Sequence, residues 1–517
     1  MSAQPSANHS SASTSYRTIL RSSSIMGMSS VLNVVFGILR MKVAALLLGP
    51  AGVGLIGMYQ NLLQTAATVA SMGVGTAGTR QIAAAHAQED VTAATAVHRA
   101  LFWGTVALSL VGGTVFALLG NWIAERLLGD AARAAEVRWL GLGVALTVAA
   151  GSQSALLTGL RRIGDVARIQ IGSAAVATVL GVAALWAWGQ AGLLAMVLVA
   201  PAATFAQGLW YTRRLRAPTK TVIAWRQITD QLRELTRLGV AFMVSGLVAT
   251  LGQLAVRSIV QRESGADALG QFQAAWSIGM LYLGFVLGAM ATDYYPRLAA
   301  TMAEPEAATR LVNEQTEVAL LLCGPVLLAL LGTAPWVIHL LYSPAFAPAA
   351  DILRWQLLGD VLKVMSWPLG FVLLASGAGK TFIATEALGM GAFVAVTALA
   401  VKPFGPVGTG WAFLVMYLCY LPCVYAIART RIGFRWRRAV WRRGLVLFLV
   451  AAAISALGHV DTVLAAVAGV ASACALGLQA LVHLANRTGS QVPAGESTTA
   501  GPLHSFRMMI RTLSRKP

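Results

Sequence analysis

Apolar runs of about 18 residues or more recur along the whole chain, each long enough to cross roughly 30 Å of hydrocarbon as a helix. In lipid, every backbone N–H and C=O must find its partner within the segment, so runs of this kind have to be helical. The alternating pattern of a membrane barrel is absent. The expected fold class is an all-α polytopic membrane protein. Fourteen spans are predicted, at about 20–47, 52–79, 98–119, 137–158, 167–187, 191–211, 238–261, 268–292, 316–341, 351–376, 380–402, 408–428, 444–460 and 462–486. The first, second, seventh and tenth are the least apolar, because they carry charges or many glycines.

Composition agrees, with 57% of the 517 residues hydrophobic and 11% charged, where soluble domains run near a quarter charged. A net charge of +19 suggests nucleic acid only if the basic residues form a patch. Here they gather in short loops between apolar runs, where topology selects for them, so nucleic acid is not expected as a partner. Cys323, Cys419, Cys423 and Cys474 all sit inside apolar segments, with neither a disulfide framework nor a metal spacing. No histidine cluster, zinc spacing or nucleophile motif appears, so no catalytic residue, metal or cofactor is expected. Residues 1–16 are Ser-rich and read as a disordered tail, and with no cleavage site after them the first helix is expected to remain.

Loop charge sets the orientation. The segment 212–237 holds Arg213, Arg214, Arg216, Lys220, Arg226, Arg233 and Arg237 against Asp230 and Glu234, and 429–443 holds seven arginines and no acid. These segments share a side with Arg161, Arg162, Arg168, Arg511, Arg515 and Lys516 if both termini are cytoplasmic in a bacterial inner membrane. The segment 295–315 fits less well, with Glu304, Glu306 and Glu314 against Arg297 and Arg310, but acids weigh little in this rule. Connections on the other side are short, the longest being about 120–136, and leave no room for a folded periplasmic domain.

An internal repeat runs at a constant offset of 216 residues. Gly49-Pro-Ala-Gly-Val53-Gly54 matches Gly265-Ala-Asp-Ala-Leu269-Gly270, and Arg138-Trp139-x-x-Leu142-Gly143 matches Arg354-Trp355-x-x-Leu358-Gly359. The same offset carries the position between Arg40 and Lys42 to Arg257. Spans one to six thus pair with seven to twelve. An even number per half implies parallel repeats, two six-helix lobes facing a central cavity. The predicted organisation is a tail (1–16), an N-terminal lobe (17–211), a basic linker (212–237), a C-terminal lobe (238–428) and an Arg-rich loop (429–443). An appended helix pair (444–486) and a cytoplasmic tail (487–517) follow. Lying outside the repeat, the pair is expected to be dispensable for part of the activity.

Two motifs are decoys. Gly73-x-Gly75-x-x-Gly78 spells a dinucleotide fingerprint without its preceding strand, so close helix packing is expected there. Gly379-Lys380-Thr381 lacks the first glycine of a phosphate loop and reads as a tight turn. The informative residues are ionisable groups in the spans, since a charge at mid-bilayer costs roughly 2.5–3.5 kcal/mol unless it faces a cavity or a partner. Arg40 and Lys42 lie in span one, Arg257 in span seven, and Asp360 with Lys363 in span ten. Arg80, Asp293 and Arg354 lie at span ends, where snorkelling to an interface is the competing reading, and Glu386 is early in span eleven. Asp360 and Lys363, three apart, could instead neutralise each other. Gln356, Asp360, Lys363 and Trp367 form one polar helical stripe, Gln253, Arg257 and Gln261 a second, and Gln60 with Gln64 a milder third. A wet site, cationic on balance and rich in amides, suits an anionic, hydroxyl-rich passenger such as a pyrophosphate-linked sugar chain.

Lys42, then Leu48-Gly49-Pro50-Ala51-Gly52-Val53-Gly54 and Arg80, resemble the opening of the Wzx-type O-antigen and enterobacterial-common-antigen lipid III flippases. Arg354-Trp355-Gln356-Leu357-Leu358-Gly359-Asp360-Val361-Leu362-Lys363, with Tyr342 to Phe346 ahead of it, resembles the same family's tenth span. The likeness covers about residues 18–430, while the last two spans and both tails depart from it. That family belongs to the multidrug/oligosaccharidyl-lipid/polysaccharide exporter superfamily. The resemblance implies translocation of an undecaprenyl-pyrophosphate-linked oligosaccharide from the cytoplasmic to the periplasmic leaflet by alternating access, for O-antigen or other surface polysaccharide. It implies membrane lipid, a polysaccharide polymerase and a chain-length regulator as partners. Arg40, Lys42, Gln60, Gln64, Arg80, Gln253, Arg257, Arg354, Gln356 and Lys363 are the candidate substrate-binding residues, and Asp293, Asp360 and Glu386 the candidates for coupling to an ion. The alternatives are a drug/cation antiporter of the same superfamily, whose cavity should hold net acid, and a membrane glycosyltransferase or polymerase, which should carry sizeable periplasmic loops.

Overall fold

A computed structural model describes residues 8–88, 91–215 and 225–489; residue 490 onward, most of the predicted C-terminal tail, lies outside the described residues. Among the described residues there is no strand. The α-helices run in chain order as α1 (Asn8–Ser71), α2 (Val74–Ala87), α3 (Val91–Leu118), α4 (Gly120–Ile123), α5 (Ala134–Gly159), α6 (Ile163–Trp188) and α7 (Gly192–Arg213). They continue as α8 (Trp225–Thr301), α9 (Pro305–Leu341), α10 (Ala349–Ala375), α11 (Gly379–Phe404), α12 (Val407–Ile432), α13 (Arg438–Val460) and α14 (Thr462–Gly489).

Eleven stretches among the described residues are long and apolar enough to span a membrane. Three of them, Met26–Ser71, Ile163–Arg213 and Gly246–Thr301, hold 46, 51 and 56 residues. At 1.5 Å per residue each runs roughly 70–85 Å, more than twice the hydrocarbon thickness. Each is broken near its middle by a glycine in the left-handed region: Gly49 (φ 65°), Gly189 (φ 55°) and Gly265 (φ 85°). With those three stretches counted twice, the crossings number fourteen. One expectation needs correction. α1 starts at Asn8, so residues 8–16 of the supposedly disordered tail are helical; extending a helix already nucleated by an apolar span costs little.

The chain packs as two units. The first comprises Met1–Ala274, Ile338–Ile352 and Glu386–Ala412, and the second Ala275–Val337, Leu353–Thr385 and Phe413–Pro517.

Within the first unit the two repeated motifs touch each other, residue on counterpart. The Ala51 N–H donates to Asp267 Oδ1 at 3.0 Å, across an offset of 216 residues. A Cβ at Gly54 would lie 2.6 Å from the Gly270 nitrogen, and one at Gly57 would run into the Gln273 side chain. Positions 51, 54 and 57 therefore each meet the residue 216 further on, as two copies do where a symmetry axis passes between them. Gly49 and Gly265, one offset apart, make the same backbone break. The Gly73 decoy resolves as expected into close packing, because a Cβ there would strike the Gly239 carbonyl. A Cβ at Gly270 would likewise strike the Pro50 carbonyl. Gly270→Leu is expected to lower the amount of folded protein in the membrane severalfold, read by fluorescence-detected gel filtration. Wild-type yield and melting temperature in this variant would refute the contact.

In the second unit the appended pair α13–α14 is built into the core. Gly332 of α9 and Gly469 of α14 approach so closely that a Cβ on Gly332 would lie 2.9 Å from the Gly469 Cα. Glu317 of α9, 5% exposed, pairs with Arg443 at the start of α13 and with His483 of α14, the latter at 3.1 Å. Asn313, also buried, holds the arginine-rich connection by donating to the Arg435 carbonyl at 3.1 Å and accepting from the Arg437 N–H at 2.8 Å.

Candidate functional site

The first unit holds a buried cation on the second polar stripe. Arg257 is 4% exposed. Its Nε and Nη2 donate to Gln273 Oε1 at 3.2 and 3.0 Å, and its Nη1 donates to Gln253 Oε1 at 3.3 Å. Two amides thus hold the guanidinium. Gln253 and Arg257 are one helical turn apart, as the stripe implies. Gln273 escaped sequence reasoning, although a signal existed: residues 257 and 273 are equidistant from the Gly265 break, where the helix folds back on itself.

The other cations fare differently. Lys42 Nζ donates to the carbonyls of His339 and Tyr342, at 3.2 and 2.5 Å, and so caps the end of α9. Arg40 is half-buried, with an Nε that has no protein acceptor among the described residues. Gln60 is exposed. Gln64 and Arg80 share a cavity of 540 Å³ in the first unit, whose remaining wall is rich in hydroxyls, among them Thr68, Ser71, Thr76 and Thr158. Those hydroxyls lie outside the three predicted stripes. Glu386 is half-buried on α11.

In the second unit α10 brings Gln356 and Asp360 together, both buried, against the backbone of Gly279. Asp360 Oδ2 accepts from the Tyr282 hydroxyl at 3.0 Å, while Oδ1 receives no hydrogen bond from the described residues. Lys363, one turn on, lies 3.5 Å from the Met280 sulfur and 5.8 and 5.9 Å from the rings of Phe413 and Tyr417. Trp367, the end of that stripe, stacks on Tyr294 in an aromatic cluster. Arg354, also buried, lies against Gly458 of α13, where a Cβ would stand 2.6 Å from its Nη2. Asp293 is exposed and pairs with Arg297 at 3.0 Å, away from the buried acid. Among the described residues no group of three His, Cys, Asp or Glu is placed to hold a metal.

The model of a family described as "polysaccharide biosynthesis protein" matches residues 19–302. The Lipid III flippases of Escherichia coli (strain K12) and Shigella flexneri are each 23% identical over 402 residues, covering 76% of this chain and 94% of theirs. Among solved structures, the lipid II flippase MurJ in an inward closed conformation matches with a TM-score of 0.68 at 10% identity, over 90% of this chain and 99% of that one. An inward-facing multidrug resistance MATE family transporter of the MOP superfamily matches with a TM-score of 0.66 at 17% identity, over 79% and 96%. The fold is that of the superfamily.

Proposed function

The chain belongs to the polysaccharide biosynthesis protein family, and from that premise we propose that it is a lipid-linked oligosaccharide flippase. Its cargo is an undecaprenyl-pyrophosphate-linked glycan, moved from the cytoplasmic to the periplasmic leaflet of the inner membrane by alternating access. The observation that carries this reading is Arg257, a charge inside a membrane helix that is held by amides. A pyrophosphate needs such compensation where water is scarce, and a guanidinium fork matches its oxygens. The hydroxyl-rich cavity holding Gln64 and Arg80 offers the hydrogen bonds that sugars need. Asp360, with one oxygen unbonded, is the acid best placed for coupling to an ion. A polymerase and a chain-length regulator would take up the flipped product.

The test is transport by the purified protein in sealed vesicles, with a fluorescent lipid-linked oligosaccharide and, separately, an organic cation. Movement of the glycan lipid supports the proposal; movement of the cation alone establishes the antiporter. Orientation is tested separately in a chain cleared of its native cysteines. A cysteine at Ser264 is expected to react with an impermeant reagent from the periplasm, and one at Ser490, outside the described residues, is not. The reverse pattern would overturn cytoplasmic termini.

A further inference from the structure

The second unit carries a groove that the transport reading does not use. It measures 430 Å³ and lies between α9, α13 and α14. Its length is apolar, lined by Leu320, Leu328, Leu447, Val450, Ala475 and Leu476. One end is polar, formed by Arg442, Arg443 and Gln479. The order of residues agrees on all three helices: 320, 442 and 479 lie at the arginine end, and 328, 450 and 472 at the other. Eight residues of helix span the groove, so it is roughly 12 Å deep, close to the hydrocarbon of a single leaflet. Val446, Ala475 and Gln479 are exposed along it, so it opens to the bilayer.

The two arginines at its mouth differ. Arg443 already pairs with Glu317. Arg442 is exposed, and among the described residues no carboxylate pairs with it. Arg435, Arg437 and Arg438 precede it, so the mouth is strongly positive. Topology accounts for arginines on this side of the membrane, but not for two of them closing an apolar slot.

We propose that this groove binds one anionic glycerophospholipid, with an acyl chain along α9, α13 and α14 and the phosphate on Arg442. A phosphate matches the guanidinium fork, and the apolar slot takes the headgroup-proximal part of one acyl chain.

Native mass spectrometry of the full-length protein, delipidated and titrated with phosphatidylglycerol, phosphatidylcholine or undecaprenyl phosphate, reads the occupancy. The wild type is expected to hold phosphatidylglycerol about fivefold more tightly than phosphatidylcholine, as one arginine at an anionic headgroup provides. Arg442→Gln should level the two, and Ala475→Phe, which fills the slot, should weaken both. Equal retention of the two phospholipids by the wild type would overturn the site, and that comparison needs no variant to fold. So would tighter retention of undecaprenyl phosphate, or a phosphatidylglycerol preference that survives Arg442→Gln.

Discussion

Replacing Arg257 by glutamine is expected to cut export of the lipid-linked glycan by about tenfold to a hundredfold, with the amount of protein in the membrane unchanged. The magnitude follows from the roughly 1.5–3 kcal/mol carried by a hydrogen bond to a charged group. Glutamine can still donate to Gln273 and keeps the site polar, so the local packing of α8 has little reason to change. Only the charge and the fork are lost. Arg257→Lys should retain part of the export, because an ammonium supplies the charge without the planar, two-pronged geometry. The measurement is surface glycan in a strain lacking its own flippase, with membrane abundance scored in parallel. Normal export by the glutamine variant would make Arg257 a structural cation and remove the main support for the proposed site. Loss of export together with loss of protein would point the same way.

Deleting residues 444–486 is expected to abolish export and to reduce membrane abundance severalfold, contrary to what their place outside the repeat suggests. Removing apolar helix surface is itself cheap, because lipid covers an exposed leucine as well as another helix does. The cost comes from charge. Glu317 would lose His483 and the helix that positions Arg443, and Arg354 would lose the cover of Gly458. Each charge turned toward lipid costs about 2.5–3.5 kcal/mol on insertion scales. If that is the cause, Glu317→Gln in the shortened chain should recover part of the abundance. A shortened protein that accumulates and exports normally would restore the view of the pair as an appendage.

These two expectations mark how far the candidate site was legible. The tenth-span stripe was readable as a stripe, and Gln356 with Asp360 do meet. Its end was not, since Trp367 belongs to an aromatic cluster formed with Tyr294. The glycine break was readable from the repeat, and with it the fold-back that sets Gln273 against Arg257 could have been found by counting outward from Gly265. Lys42 and Arg257 are similar in sequence, each a cation in a weakly apolar span. Their surroundings separate them: one caps the carbonyls of a helix about three hundred residues away, the other rests between amides.

Helical class, the fourteen crossings and the duplication were determined by the sequence alone, because lipid leaves the backbone only local hydrogen bonding and the pattern of each span is local too. Which buried charge is paired, which is capped and which is held by amides was decided only in the tertiary structure. A charge in a membrane is tolerable only through its neighbours, and those neighbours come from α9, α13 and the far side of a glycine break, positions that no window along the chain brings together.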